Sequence, residues 1–183
     1  QMCIRDSAGV GEEVAEVTER AMQGELDFEQ SLRQRVGKLK GADEAILEQV
    51  RSQLPFMPDF EALIATFKAL GWKTAIASGG FTYFSDFIKD KVGLDFAQSN
   101  QLEIVDGKLT GEVLGDVVSA QTKADILVEL AEEYDIEQHN TVAVGDGAND
   151  LVMMAAAGLG VAYHDKLKVE EQAQTAVRFA GLG

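Results

Sequence analysis

The sequence is poor in the residues that mark disulfide-rich and membrane-spanning proteins. Its 183 residues include one cysteine, Cys3, which rules out an internal disulfide and a zinc site built from cysteines. No apolar run approaches the roughly 20 residues that a membrane-spanning helix requires. The pattern of a secretory signal peptide is not visible at the start either. We therefore expect a cytoplasmic protein that does not associate with membranes.

Positive charge is also scarce. The chain carries 16 Lys and Arg residues against 31 Asp and Glu residues, which gives a net charge of −15. Nucleic acids are bound by basic surfaces that release counterions, so this composition argues against a nucleic-acid partner. A small anionic substrate would need a locally positive pocket built from a few Lys, Arg and backbone N–H groups. The composition does not indicate an oligomeric state.

The segment before Pro55 has the periodicity of helices. No strand candidate interrupts residues 12–54, and their apolar residues recur with helical spacing. The two apolar stripes are Phe28, Leu32, Val36 and Leu39, followed by Ile46, Leu47, Val50 and Leu54. Asp27 is the expected N-cap of the first of these helices, and Gly41 is its expected end. The segment is therefore predicted to be a small, all-helical unit.

Strands and helices alternate after Pro58, which predicts βαβ units around a parallel sheet. The expected helices carry apolar faces at residues 60–70, 84–88 and 124–131 and from about Asp150, and the first of them ends at Gly71. The expected strands are buried ones at 73–77 and 141–144, a hairpin of 102–105 with 108–110, a strand at 160–163 and a short one at 175–179. Asp106-Gly107 signals a type I′ turn in that hairpin. The length suits one domain, or one domain with a small appendage.

The segment 141–150 is the strongest candidate for chemistry. Its apolar strand ends in Gly145, Asp146, Gly147, Ala148, Asn149 and Asp150. Open α/β folds bind ligands at the carboxyl ends of parallel strands, and Mg²⁺ usually takes one or two carboxylates plus a phosphate. The plainer alternative makes Asp146 a turn residue and Asp150 a helix N-cap. A dinucleotide or methyl-donor loop fits less well, because a third glycine and a following βαβ unit are missing.

Two further segments have features of an anion site. Ser78-Gly79-Gly80 closes a predicted strand and opens a helix, where a hydroxyl and unhindered N–H groups meet the positive end of the helix dipole. Lys123 falls in the first turn of a predicted helix, where a cation opposes the dipole unless an anion is bound there. The alternatives are an ordinary turn with Ser78 as N-cap, and a solvated lysine. His139 and His164 are too far apart in sequence to suggest a metal pair and are expected at the surface.

These three segments together resemble motifs two, three and four of the haloacid dehalogenase superfamily. A closer match involves residues 16–22, 31–36 and 77–81 with Phe28, which resemble the phosphoserine phosphatases within that superfamily. The resemblance runs from about Gly11 almost to the end of the chain. It implies a doubly wound, Rossmann-like α/β core at 56–183 without its first strand, a small helical cap at 11–55, and a non-matching segment at 1–10.

The resemblance also implies an activity, the Mg²⁺-dependent hydrolysis of O-phospho-L-serine to L-serine and phosphate in serine biosynthesis. By matching position it implies substrate binding by Met22, Phe28, Arg35, Ser78, Gly79, Lys123 and Asn149, catalytic roles for Lys123 and Asp146, and metal binding by Asp146 and Asp150. In such enzymes Ser78 and Gly79 would hold the phosphate, and Lys123 would neutralise the transferring phosphoryl group. Arg35 would take the substrate carboxylate with its guanidinium fork.

The chain departs from this family at the first motif. The family carries Asp-x-Asp-x-Thr/Ser, which supplies the nucleophile and the general acid. This motif is missing here, and residues 1–7 do not match it. We expect residues 1–7 to be a foreign segment joined to a truncated gene, and the chain as given to be inactive and poorly stable. Two alternatives stay open: a non-catalytic phosphate- or metal-binding pseudophosphatase, and a phosphatase acting on another small phosphomonoester.

Overall fold

The computed structural model of this protein describes residues 8–57, 59–163 and 175–177. The expectations for residues 1–7, for His164 and for the end of the last predicted strand lie outside the described residues. The described residues form two compact units, the first made of 8–56 and 64–117 and the second of 57, 59–63, 118–163 and 175–177. Parallel strand pairs in both units confirm the predicted α/β fold class. The division into a cap at 11–55 and a core at 56–183 stays a prediction.

Three helices open the first unit: α1 (Gly11–Met22), α2 (Phe28–Gly37) and α3 (Glu44–Ser52). Asp27 caps α2 as predicted, because its carboxylate accepts from the N–H of Gln30 while the Gln30 side chain accepts from the N–H of Asp27. The prediction that Gly41 ends this helix is wrong. The helix ends at Gly37, since the next N–H groups bond three residues back. Gly41, at φ 84°, instead donates its N–H to the carbonyl of Leu109.

The remaining elements of the first unit are β1 (Ala75–Phe81), α5 (Thr82–Val92), β2 (Phe96–Val105) and β3 (Lys108–Leu114), and helix α4 (Phe60–Ala69) precedes them with residues in both units. The sheet order is β1-β2-β3. β2 is longer than predicted because its first half pairs in parallel with β1 and its second half pairs antiparallel with β3. Asp106 and Gly107 both have positive φ angles, 52° and 73°, which confirms the predicted type I′ turn.

The cap helices pack against this hairpin. Leu32, Val36 and Leu47 are at most 1 % exposed, which confirms the two predicted apolar stripes. The same hydrophobic cluster contains Leu102, Leu109 and Val113 of the hairpin. Arg33 adds polar contacts, since its guanidinium donates to the carbonyls of Val113 and Gly115 at 3.1 Å each. The helices and the hairpin therefore share one core within the first unit.

Strand β1 differs from its prediction in two ways. It runs to Phe81 rather than ending at Ala77, although its register with β2 shifts between these residues. It is also not buried, since its residues before Phe81 are partly or fully exposed. The reason is that β1 pairs with β2 alone among the described strands, which leaves its other side as a sheet edge.

The second unit contains α6 (Ala120–Glu133), β4 (Val142–Gly145), α7 (Leu151–Ala156), β5 (Leu159–Tyr163) and β6 (Thr175–Val177), with short 3₁₀ turns at Gln138–Asn140 and Ala148–Asp150. The three strands are parallel in the order β4-β5-β6. Ala143 and Ala162 of this sheet pack with Met154 and Ala157 in a second hydrophobic cluster. Strands 141–144 and 160–163 are thus confirmed within one or two residues.

The prediction that β4 is fully buried is wrong. Val142 and Val144 are 38 % and 52 % exposed, and Leu159, which pairs with Val142, is 40 % exposed on the same sheet face. β4 is an edge strand among the described residues, and the packing around Ala143 covers the opposite face. No helix in the described part of the chain is long and apolar enough to cross a membrane.

Candidate active site

The centre of the candidate site is a buried ion pair in the second unit. Lys123 lies in the first turn of α6 and is only 4 % exposed, and its Nζ donates to Oδ1 of Asp150 at 2.7 Å. The helix start is fixed by a capping box in which Ser119 and Thr122 satisfy each other's N–H groups. The alternative of a solvated lysine is therefore wrong. A buried lysine with a buried counterion is a costly arrangement and needs well-placed partners.

The second oxygen of the same carboxylate organises the acidic loop. Oδ2 of Asp150 accepts from the backbone N–H groups of Asp146 and Gly147, at 3.2 Å each. Asp150 makes no side-chain capping bond to α7, so the alternative of a simple helix N-cap is wrong. An added Cβ at Gly145 would lie 2.8 Å from Cγ of Asp150, so a glycine is required for this close approach. The loop is therefore tied to Lys123 through one carboxylate.

Asp146 has the properties of a metal ligand. It follows directly after β4, at the carboxyl end of a parallel strand, and its side chain is exposed. Its carboxylate has no ion pair or hydrogen bond to another described residue, while both oxygens of Asp150 are already engaged. No cluster of three His, Cys, Asp or Glu side chains able to hold a metal exists in the described ranges. One free carboxylate still suits Mg²⁺, which keeps most of its water and binds through one or two carboxylates.

The Ser78-Gly79-Gly80 loop belongs to the first unit. Oγ of Ser78 accepts from the N–H of Gly80 at 3.0 Å, and the carbonyl of Gly79 accepts from Nδ2 of Asn100 at 3.1 Å. The alternative of Ser78 as the N-cap of the next helix is wrong, because Phe81 holds that position. Asn100 was missed by the sequence analysis, since one asparagine in a polar stretch of strand carries no signal of its own. Anion binding by this loop stays a prediction.

Arg35, Phe28 and Met22 are carried by the cap helices. Phe28 and Arg35 lie seven residues apart on α2 and so share one helix face. Nε of Arg35 donates to the carbonyl of Ser31 at 3.2 Å, and partial burial lowers the pKa of its guanidinium below the usual value. Met22 ends α1 and is 82 % exposed, and Phe28 is 37 % exposed. Exposed apolar groups near a partly desolvated cation fit a surface that meets a ligand.

The predicted site residues are thus divided between the two units. Met22, Phe28, Arg35, Ser78 and Gly79 belong to the first unit, and Lys123, Asp146, Asn149 and Asp150 belong to the second. Within the second unit the structure brings Lys123, Asp150 and the Asp146 loop into direct contact. His139 takes no part in this, since its side chain is 70 % exposed and pairs with Glu137, which confirms its predicted surface position.

Comparison with known proteins decides the family. The model of the haloacid dehalogenase-like hydrolases matches residues 2–158. A phosphoserine phosphatase of Vibrio cholerae is 78 % identical over 98 % of this chain. The chain belongs to the phosphoserine phosphatase branch of the haloacid dehalogenase-like hydrolases.

Solved structures give the same assignment. The unliganded structure of a probable phosphoserine phosphatase from Vibrio cholerae matches 98 % of this chain with a TM-score of 0.93 and 76 % identity. A structure described as a substrate-bound phosphoserine phosphatase complex matches 96 % of it with a TM-score of 0.87 and 42 % identity, over 83 % of that protein's chain. The present chain spans 55 % of the length of the Vibrio cholerae relative and 56 % of its solved counterpart, about half in each case.

Breaking the buried ion pair should destabilise the second unit strongly. Lys123→Met leaves the carboxylate of Asp150 buried without its counterion, so we expect the free energy of unfolding to fall by about 3–5 kcal/mol. The double variant K123M/D150N removes both charges, and its loss should be smaller than the sum of the two single losses. Urea unfolding followed by circular dichroism measures all four proteins.

The control is Lys38→Met, which removes the cation of an exposed pair with Glu13 at 3.8 Å. We expect this change to cost less than about 1 kcal/mol. Equal losses for K123M and K38M would contradict the buried pair as a stabilising contact.

Proposed function

We propose that this protein is a Mg²⁺-dependent phosphatase that hydrolyses O-phospho-L-serine to L-serine and phosphate, a step of serine biosynthesis. The observation that carries the proposal is the buried Lys123–Asp150 pair, bonded to the Asp146 loop, in a chain so similar to a named phosphoserine phosphatase. A cation held at a helix start and a free carboxylate at a strand end suit a phosphate dianion and its metal. The chain spans about half of that relative, so its whole activity is part of the proposal.

Substrate binding draws on charges and N–H groups of the chain. Lys123 neutralises the phosphoryl group, because its ammonium already lies fixed by Asp150 and needs no reorganisation when the substrate binds. Ser78 and Gly79 offer a hydroxyl and a backbone N–H to the phosphate oxygens. Arg35 takes the substrate carboxylate through two parallel hydrogen bonds, which offset the cost of its partial burial. Met22 and Phe28 cover the apolar side of the substrate.

Asp146 is the direct ligand for Mg²⁺ in this proposal. Asp150 supports the site mainly by orienting the loop, since its oxygens bind Lys123 and two backbone N–H groups. Asn149, exposed beside it, holds water molecules around the metal. When bound, the ion neutralises negative charge on the phosphate oxygens.

The chain as given lacks the groups for the chemical step. No two of its aspartates stand in an Asp-x-Asp arrangement, the pair that the family uses as nucleophile and general acid. Phosphoryl transfer to a carboxylate needs that carboxylate in line with the phosphorus, which the residues of the binding groups cannot replace. We therefore propose that this chain binds its substrate without turning it over.

Restoring the first motif should restore hydrolysis. We expect the chain with residues 1–10 replaced by an apolar strand ending in Asp-x-Asp-x-Thr to release phosphate from O-phospho-L-serine in the presence of Mg²⁺. A colorimetric phosphate assay measures this beside the chain as given. The matched control carries the same strand with both aspartates changed to asparagine, and it should be inactive. Equal activity of the chain as given and the restored protein would contradict this account of the nucleophile.

Arg35 should determine the preference for amino-acid phosphates. In the restored protein, Arg35→Ala removes the group proposed to bind the substrate carboxylate, and kcat/KM for O-phospho-L-serine should fall roughly 10- to 100-fold. Hydrolysis of p-nitrophenyl phosphate, which has no carboxylate, should change by less than about threefold.

Arg33→Ala is the control for this prediction. Arg33 lies on the same helix but bonds to the carbonyls of Val113 and Gly115, so its loss should lower stability without changing substrate preference. If Arg35→Ala slows both substrates equally, the enzyme acts on a different small phosphomonoester.

A binding protein without catalysis is the second candidate, and the missing Asp-x-Asp pair is the observation that favours it. Such a pseudophosphatase would bind phosphate or Mg²⁺ through the same residues and act through that binding alone. A restored protein that folds cooperatively, binds phosphate and still releases none from O-phospho-L-serine would support it over the enzyme.

A further inference from the structure

The pairing of β1 with β2 is interrupted at the proposed phosphate loop. Ala77 pairs with Gln98 and Phe81 pairs with Asn100, so four steps along β1 correspond to two along β2. Ser78, Gly79 and Gly80 therefore have no regular partner in the ladder. A strand that bulges in this way usually re-aims a side chain, and it leaves backbone groups that need other partners.

Asn100 supplies such a partner. Its side chain is only 1 % exposed, which places it among the most buried side chains of the described residues. Its Nδ2 donates to the carbonyl of Gly79 at 3.1 Å. A buried amide is retained when its hydrogen bonds are made, because an unsatisfied one would cost about 1–3 kcal/mol.

The geometry of the peptide unit carries this contact to Ser78. The bond between Gly79 and Gly80 is trans, so its C=O and N–H point in opposite directions. With the carbonyl of Gly79 held by Asn100, the N–H of Gly80 is directed away from β2, where it donates to Oγ of Ser78 at 3.0 Å. The hydroxyl accepts this bond, and its own O–H is then directed elsewhere as a donor.

We propose that Asn100 is a positioning residue that orients the Ser78 hydroxyl toward an anionic phosphate, acting through the peptide between Gly79 and Gly80. The inference rests on the proposed function, which makes Ser78 a phosphate ligand. Asn100 itself lies behind the loop and acts on the ligand through the backbone. Side-chain space supports the arrangement, since a Cβ at Gly80 would lie 3.1 Å from Oγ of Ser78.

The first test needs no ligand. Asn100→Ala and Asn100→Asp both remove the donor, the second with almost no change in shape. Amide exchange measured by NMR should become about tenfold faster at Gly80 in both variants, because the peptide loses the bond that fixes it. The control is Ser85→Ala, which breaks a buried hydroxyl contact of 2.6 Å with Ser99, the neighbour of Asn100 on β2. Its effect on Gly80 should stay within about twofold, since no hydrogen bond of Gly80 is removed. Unchanged exchange in Asn100→Ala would overturn the proposal.

The second test uses inorganic phosphate, titrated into each protein and followed at the amides of Gly79 and Gly80. Asn100→Ala should weaken phosphate affinity about tenfold, and Ser85→Ala should not. In a Ser78→Ala background, Asn100→Ala should cause little further loss, because its effect passes through that hydroxyl. Additive losses would mean a merely structural role and would overturn the proposal. A wild-type chain that shows no phosphate shift at the loop would contradict the proposed function, while the exchange test still decides the role of Asn100.

Discussion

The buried contact between Lys123 and Asp150 is the interaction on which the rest of the site depends. Both side chains are less than a tenth exposed, so each charge has lost most of its hydration. Such a pair is tolerated only when further hydrogen bonds complete it, and here the N–H groups of Asp146 and Gly147 do so. The same bonds shape the loop from which Asp146 projects. Stability of the second unit and geometry of the candidate metal ligand are therefore set by one carboxylate.

The chain separates binding groups from reacting groups. Phosphate, metal and carboxylate each have a candidate partner in the residues present, and each partner is held by a capped helix start, a strand end or a buried amide. The pair of carboxylates needed for phosphoryl transfer is missing from the sequence. The exposed edges of β1 and β4 are the structural counterpart of this absence, because parallel strands are normally covered on both sides. Family membership and catalytic competence are thus different questions for this chain.

Local chemistry could be predicted from the sequence, and partners distant in sequence could not. The cap at Asp27, the Asp106-Gly107 turn and the helix containing Lys123 followed from residue types at fixed spacing, and the structure confirms them. Burial of β1 and β4 was predicted wrongly, because an apolar strand pattern assumes neighbours that these strands do not have among the described residues. The contact of Asn100 with Gly79 spans 21 positions and leaves no periodic signal. The buried state of Lys123 likewise depends on Asp150, 27 positions away.

Hydrogen exchange at the amides of Asp146 and Gly147 tests the central claim most directly. If the ion pair orders the acidic loop, Lys123→Met should speed exchange at these two amides by about tenfold, while the core amide of Ala162 stays protected. Lys38→Met should leave all three unchanged. Equal exchange at Asp146 and Gly147 in the wild-type chain and in Lys123→Met would contradict the claim that this pair organises the site.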